Sequence, residues 1–172
     1  MIIKAKKFNL RLYKEGDEAA ISKYANNELI AKNTLFIPYP YTLKDAEEWV
    51  EKNLVNYKKR NKKSFVLAIE INNEVCGTVG FNKIEKGHKT EISYWLGRKY
   101  WGAGIMTEAV KLAIEYVFKE FKLQRVYALV FSSNLASKRV LEKVGFESEG
   151  FLKKEIEKDG EYIDCYLLAK VK

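Results

Sequence analysis

The sequence predicts a three-layer α+β fold in which helices flank a mixed, mostly antiparallel sheet containing one parallel strand pair. Three observations point there. Two turn signals, Asn72-Asn73-Glu74 and Asp159-Gly160, each separate runs rich in β-branched and aromatic residues, which implies antiparallel hairpins. A long helical run separates the strand-like residues 91–96 from 125–131, so those two strands should lie parallel through a right-handed crossover. Further amphipathic segments precede the first hairpin and supply the remaining helices.

Residues 8–13 alternate as a first strand, and Gly16-Asp17 opens a helical segment running to residue 31. Residues 34–41 are aromatic and broken by Pro38 and Pro40, so they read as a loop. Thr42, with Asp45 three residues on, marks a helix start ahead of Ala46, Trp49, Val50 and Leu54. Residues 64–71 and 75–83 form the first hairpin. Residues 91–96 make a buried strand that stops at Gly97. In the helix that follows, Met106, Val110, Ala113, Val117 and Phe121 recur at three- and four-residue spacing beside Ala109, Leu112 and Ile114, giving one wide apolar face. Residues 125–131 return as a strand, 134–144 as a short helix stopped by Gly145, and 146–156 with 161–171 as the closing hairpin.

With 172 residues and 47% hydrophobic composition, the expectation is one core and one domain over 1–172. There is no Gly/Ser-rich linker and no repeat. The N-terminal apolar run is too short for a signal peptide, and no segment approaches the ~18–20 apolar residues of a membrane span, so a cytoplasmic location without membrane contact is expected. Cys76 and Cys165 lack metal-ligand spacing and read as small strand residues in a reducing compartment. With His88 as the single histidine, no metal site is expected. The net charge of +8 and the cluster Lys58-Lys59-Arg60-Asn61-Lys62-Lys63 raise nucleic-acid binding. Against it, the cluster follows a helix whose C-terminal dipole it complements, the other cations are dispersed among 23 acids, and no recognition motif accompanies them. A polyanionic cofactor or acidic partners account for the charge.

The strongest functional signal is the turn between the strand at 91–96 and the long helix. Gly102 and Gly104, around Ala103, carry no Cβ, so a phosphate can approach the main chain, and the first helical N–H groups, at Ile105, Met106 and Thr107, have no partner of their own. The helix dipole favours an anion there by roughly 0.3–1 kcal/mol, and a pyrophosphate suits the site. The same glycines also read as a plain turn. No Gly-x-x-x-x-Gly-Lys-Ser/Thr occurs, and the third glycine of Gly-x-Gly-x-x-Gly falls on Thr107, which leaves a pyrophosphate-bearing cofactor other than a nucleoside triphosphate or dinucleotide.

Several segments then match one family together: Leu10-Arg11-Leu12 with Asp17; Pro38-Tyr39-Pro40-Tyr41-Thr42 with Asp45-Ala46 and Trp49; Tyr94-Trp95-Leu96-Gly97; Tyr100-Trp101-Gly102-Ala103-Gly104 with Thr107-Glu108-Ala109; Asn134-Leu135-Ala136-Ser137 onward through Gly145-Phe146; and Asp159-Gly160 with Asp164. Over nearly its whole length the chain resembles the GNAT acetyltransferases, particularly the RimJ/RimL-type N-acetyltransferases. The resemblance implies the GNAT fold and acetyl transfer from acetyl-CoA to an amine, with the glycine turn on the CoA pyrophosphate. It implies that the backbone of Tyr94, Trp95 and Leu96 pairs with the pantetheine arm, that Asn134 lies on or near that arm, and that Arg139 approaches the 3′-phosphate. Asn134 also reads as a helix cap and Arg139 as a surface residue.

Some positions depart from the family pattern. Lys99 stands where Gln or Arg begins the glycine motif, and Leu141 where many members carry a tyrosine acid; the RimL-type alternative, Ser137, is present. The carboxylate of RimL-like enzymes falls on Ile156, between Glu155 and Glu157. Glu91 matches the glutamate base of several members, or is an exposed strand-end acid, so the base stays open among Glu91, Glu155 and Glu157. Ser137 reads as the donor to the departing thiolate or as a first-turn serine. A backbone N–H near Tyr94 or Trp95 is the natural oxyanion donor. Tyr39 and Tyr41 are expected either to line the acceptor entrance or to pack as a core lid. The acceptor is a protein N-terminus, such as that of a ribosomal protein, or a small amine (polyamine, amino acid or amino sugar), with a non-catalytic CoA-binding or nucleic-acid-binding module as the reading from another class. Monomer and homodimer are both open.

Overall fold

The structure is a computed structural model that describes residues 1–59 and 62–172; Arg60 and Asn61, inside the basic cluster, lie outside the described residues. The strands are β1 (Ile2–Lys4), β2 (Asn9–Arg11), β3 (Phe65–Ile71), β4 (Glu74–Glu85), β5 (Lys89–Leu96), β6 (Arg125–Phe131), β7 (Glu147–Lys158) and β8 (Glu161–Val171). The helices are α1 (Glu18–Ala25), α2 (Glu28–Lys32), α3 (Leu43–Lys58), α4 (Ile105–Glu120) and α5 (Leu135–Lys143). All eight strands share one sheet in the order β1-β2-β3-β4-β5-β6-β8-β7. Among the described residues only the β5–β6 pair is parallel, as the helical crossover between them requires.

Strand alternation divides the core between two helical layers. Phe65, Leu67 and Ile69 of β3 join Ile92 and Leu96 of β5 under α4 and α5, while Val66 and Ala68 face the other way and join Ile21, Ala46 and Val50 from α1 and α3. The expected apolar face of α4 is buried from Ile105 to Val117. Both hairpin turns place two consecutive residues at positive φ: Asn72 and Asn73 at 51° and 63°, Asp159 and Gly160 at 53° and 81°. That conformation matches the strand twist and explains the Asn-Asn and Asp-Gly pairs. Thr42 and Asp45 form the complete capping box at the start of α3, and Lys58 stands in its last turn.

Two expectations change. The first strand is only β2, and β1, formed by the N-terminal apolar run, pairs with it antiparallel. The segment 16–31 is two helices, because Asn27 leaves the helical conformation and its side chain accepts from the N–H groups of Leu29 and Ile30, starting α2 afresh. Asp17 precedes α1 but does not cap it through its side chain. Its carboxylate is engaged instead by a bidentate ion pair from Arg11, with both contacts at 2.8 Å and both residues buried. Arg11 also donates to Glu70 at 2.7 Å, locking β2, the approach to α1 and β3 together.

Candidate functional site

Strand β5 pairs with β6 only from Lys89 to Glu91, opposite Arg125 to Tyr127. Beyond that point β5 keeps its ladder to β4 as far as Leu96, and β6 keeps its ladder to β8 as far as Phe131. The two strands therefore fork. Among the described residues no strand covers the edge of Ile92–Leu96 that faces away from β4, so its backbone groups are open to an extended, amide-bearing ligand.

At the wide end of the fork the chain turns into α4. Gly97 is forced to be glycine by close approach, since a Cβ there would come within 2.9 Å of the Tyr24 ring. Trp101 Nε1 donates to the Leu96 carbonyl at 2.7 Å and ties the turn back to the strand end. Gly102 and Gly104 follow, at φ 75° and 76°, a left-handed conformation that favours glycine. Space is open where their Cβ atoms would stand. Gly104 caps α4 with no side-chain hydrogen bond, and the first return bond of the helix runs from Glu108 N to Gly104 O. Ile105, Met106 and Thr107 therefore present N–H groups without intrahelical partners. The cradle and the free strand edge together fit a pyrophosphate joined to an amide-bearing arm. Lys7, from the β1–β2 turn, reaches the Ala103 carbonyl at 3.3 Å.

At the narrow end, Glu91 occupies the last paired position of β5. Its carboxylate receives Lys83 Nζ at 2.7 Å and its side chain is 20% exposed. Lys83 sits at φ 51° in the β4 bulge, and the hydrogen bond to Glu91 raises its pKa, with Glu155 adding to the effect from β7. Glu155 and Glu157 are both exposed.

Across the fork lies α5. Asn134 Oδ1 accepts from Ser137 N at 3.1 Å, so the capping reading of Asn134 holds. Ser137 Oγ is 2.7 Å from the hydroxyl of Tyr94, which also donates to the Ser137 carbonyl at 3.0 Å. Burial pushes the Tyr94 phenol well above the usual range. Trp95 packs among apolar residues on both sides of the sheet, and Arg139 is exposed on α5. Both cysteines are buried, with burial pushing Cys76 up to about 12 and Cys165 to about 11, so neither offers a thiolate near neutral pH.

The aromatic loop before α3 splits its residues. Phe36 and Tyr39 are 88% and 57% exposed, whereas Tyr41 is buried with Tyr13, Ile21 and Val50 and its N–H is held by Asn26 Oδ1 at 3.0 Å. The two tyrosines therefore do not form one exposed pair: Tyr41 belongs to the core, because it directly precedes the α3 cap and must turn inward with that helix. Lys158, at the tip of β7, ties the loop down by donating to the carbonyls of Ala31 and Thr34.

Sequence reasoning brought Glu91, Ser137, the glycine turn and the β5 edge to one fork. It missed the Tyr94 phenol and Lys83 as members of the site. The alternation of β5 was a usable signal for Tyr94, which shares a face with Ile92 and Leu96; the Lys83–Glu91 contact depends on a bulge that left no mark in the sequence.

Comparison with known proteins follows the same lines. The Acetyltransferase (GNAT) domain family matches residues 7–147. The chain is 38% identical over 128 residues to the probable N-acetyltransferase YjcK of Bacillus subtilis (strain 168), covering 71% of each protein. Over 98 residues, 56% of this chain and 50% of the relative, it is 33% identical to the ribosomal protein uS5 alanine N-acetyltransferase of Escherichia coli (strain K12). The solved structure of RimL, a ribosomal L7/L12 alpha-N-protein acetyltransferase in complex with coenzyme A, shares the fold with a TM-score of 0.88 at 23% identity, covering 99% of this chain and 98% of that one.

Proposed function

The chain belongs to the acetyltransferase (GNAT) family, and on that premise we propose that it is an acetyl-CoA-dependent N-acetyltransferase whose acceptor is the α-amine of a protein N-terminus. The observation that carries the reading is the β5–β6 fork with an uncapped α4 at its wide end, a free peptide edge leading to an anion cradle. The protein acceptor is supported by the relative named as an alanine N-acetyltransferase of ribosomal protein uS5. The exposed Phe36 and Tyr39, just ahead of the α3 cap, offer apolar surface of a kind that suits a peptide.

Acetyl-CoA, when bound, supplies an electrophilic thioester carbon. The chain's own residues do the rest. The N–H groups of Ile105, Met106 and Thr107, with the Gly102-Ala103-Gly104 turn, hold the pyrophosphate, and the open edge at Tyr94, Trp95 and Leu96 aligns the pantetheine arm. Asn134 fixes the first turn of α5 beside that arm, and exposed Arg139 offers a cation to the 3′-phosphate. Glu91 takes the amine proton directly or through water, with Lys83 holding its carboxylate in place. Ser137 donates to the departing sulfur, and a β5 backbone N–H near Tyr94 or Trp95 stabilises negative charge on the carbonyl oxygen. Holding both substrates in the fork contributes roughly 7–11 kcal/mol of barrier reduction if the alignment is near ideal. No acyl-enzyme is needed, in keeping with the two neutral, buried thiols.

Release of free thiol from acetyl-CoA, followed with peptides bearing N-terminal alanine or serine and with polyamines, amino acids and amino sugars, tests the reading. Faster turnover of peptides is expected. Preference for a small amine would overturn the protein acceptor, and no thiol release with any amine would overturn the enzymatic reading.

A further inference from the structure

The hydroxyl of Tyr94 has two acceptors in reach and one proton. It lies 3.0 Å from the Ser137 carbonyl and 2.7 Å from Ser137 Oγ, 43 residues along the chain. When its proton is on the carbonyl, Ser137 Oγ–H must point back at the phenol oxygen to complete the pair. In that arrangement the serine proton is spent inside the protein. When the phenol instead donates to Ser137 Oγ, the serine proton is released to point into the fork.

The surroundings restrict the pair to those two arrangements. The Ser137 main chain is held by its N–H on Asn134 Oδ1 at 3.1 Å, so the serine cannot follow the phenol by moving its backbone. Burial disfavours the phenolate, so Tyr94 stays a neutral donor across the working pH range. Buried hydrogen-bond chains of this kind strengthen as each member donates to the next.

We propose that Tyr94 is a positioning residue for acetyl transfer, whose hydroxyl swings from the Ser137 carbonyl to Ser137 Oγ as the sulfur departs and so turns the serine proton outward. No covalent bond of Tyr94 breaks; its O–H rotates, the amine first adds to the thioester carbon to form the C–N bond, and as that adduct collapses the C–S bond breaks while the Ser137 O–H proton passes to the sulfur. Ser137 Oγ takes its proton back from solvent, to which Glu91 passes the one the amine released, so that overall the amine loses one proton and the thiol gains one. This rests on the reading of Ser137 as the donor to sulfur.

The test is a double-mutant cycle with Tyr94→Phe, Ser137→Ala and the pair, reading kcat, both KM values, CoA affinity by calorimetry and the thermal midpoint. Each single variant should lower kcat by about 10²-fold, the lower range of general-acid contributions, with CoA affinity unchanged. The double variant should be no slower than Ser137→Ala alone, because both substitutions remove one step. A Tyr94→Phe loss that persists undiminished in the Ser137→Ala background, or a Tyr94→Phe enzyme at full rate, would overturn the proposal. Should Tyr94→Phe not fold, Tyr94→3-fluorotyrosine keeps the shape and strengthens the donor; kcat should rise, and an unchanged kcat would overturn it. The acceptor assignment fails differently, in the wild-type protein's choice of amine, and leaves the cycle measurable with whichever amine is turned over.

Discussion

The start of α4 offers main-chain N–H groups, behind two glycines at positive φ and with no side-chain cap, whereas the narrow end of the fork offers side chains from β4, β5 and α5. The first region works through main-chain groups and through the absence of Cβ at Gly102 and Gly104. The second depends on which atoms converge: Glu91 on Lys83, and Tyr94 on Ser137. The difference teaches that, on the proposed assignment, binding and chemistry answer to different substitutions, so that each should break without the other.

The largest effect is expected at the side-chain end. Glu91→Gln keeps the size and removes the proposed base, so kcat should fall roughly 10²–10⁴-fold at neutral pH with CoA affinity retained. Steady-state kinetics beside calorimetry read both, and a near-native kcat would move the base to Glu155, Glu157 or solvent.

Gly104→Val is the reciprocal change. A β-branched residue at φ 76° is strained and fills the open cradle, so CoA affinity should drop by about 10²-fold, in line with 1–3 kcal/mol for such strain plus lost contacts. The comparison collapses if calorimetry finds CoA binding intact in the folded variant.

A control sharpens it by touching neither region. Glu70 accepts from Arg11 and Asn9 near the opposite edge of the sheet; burial opposes its charge, but those donors prevail and hold its pKa below the usual carboxylate range. Its stabilisation is therefore full above the unfolded-state pKa and lost as pH falls through the lower folded value. Glu70→Gln should cost about 1.5–3 kcal/mol at pH 7, the usual worth of hydrogen bonds to charged groups. It should also flatten the acid side of the stability curve while leaving relative kinetic constants unchanged. Denaturant titrations at pH 7 and below pH 4 measure this, and a cost that does not shrink on acidification would contradict the sign.

The smallest effect belongs to the exposed loop. Tyr39→Ala should raise KM for a peptide acceptor a few-fold, on the scale of roughly 1 kcal/mol for an exposed aromatic contact, without changing KM for acetyl-CoA. Equal changes in both would remove the loop from the acceptor side. Tyr41→Ala, by contrast, should mainly lower the thermal midpoint, because that ring is part of the core.

The layers, both hairpins, the parallel pair and the glycine turn were legible because each is written locally. The positive-φ pairs at 72–73 and 159–160, the three-and-four spacing of α4 and the glycines at 102 and 104 act within a few residues, where backbone sterics and side-chain period decide the outcome. Other features were decided only when distant segments met. Asn27 restarted a helix that the apolar pattern would have continued, and Asp17 turned its carboxylate to the Arg11 guanidinium rather than to the α1 N–H groups. Tyr41 turned inward while Tyr39 stayed out, although the two residues are chemically alike. Lys83 found Glu91 through a bulge, and Tyr94 found Ser137 across the fork. The sequence by itself determined where the main chain is free to bind. Which side chains share that cleft was settled by the tertiary structure, because hydrogen bonds and ion pairs act over a few ångströms of space, and that spacing exists only once the sheet has closed and then forked.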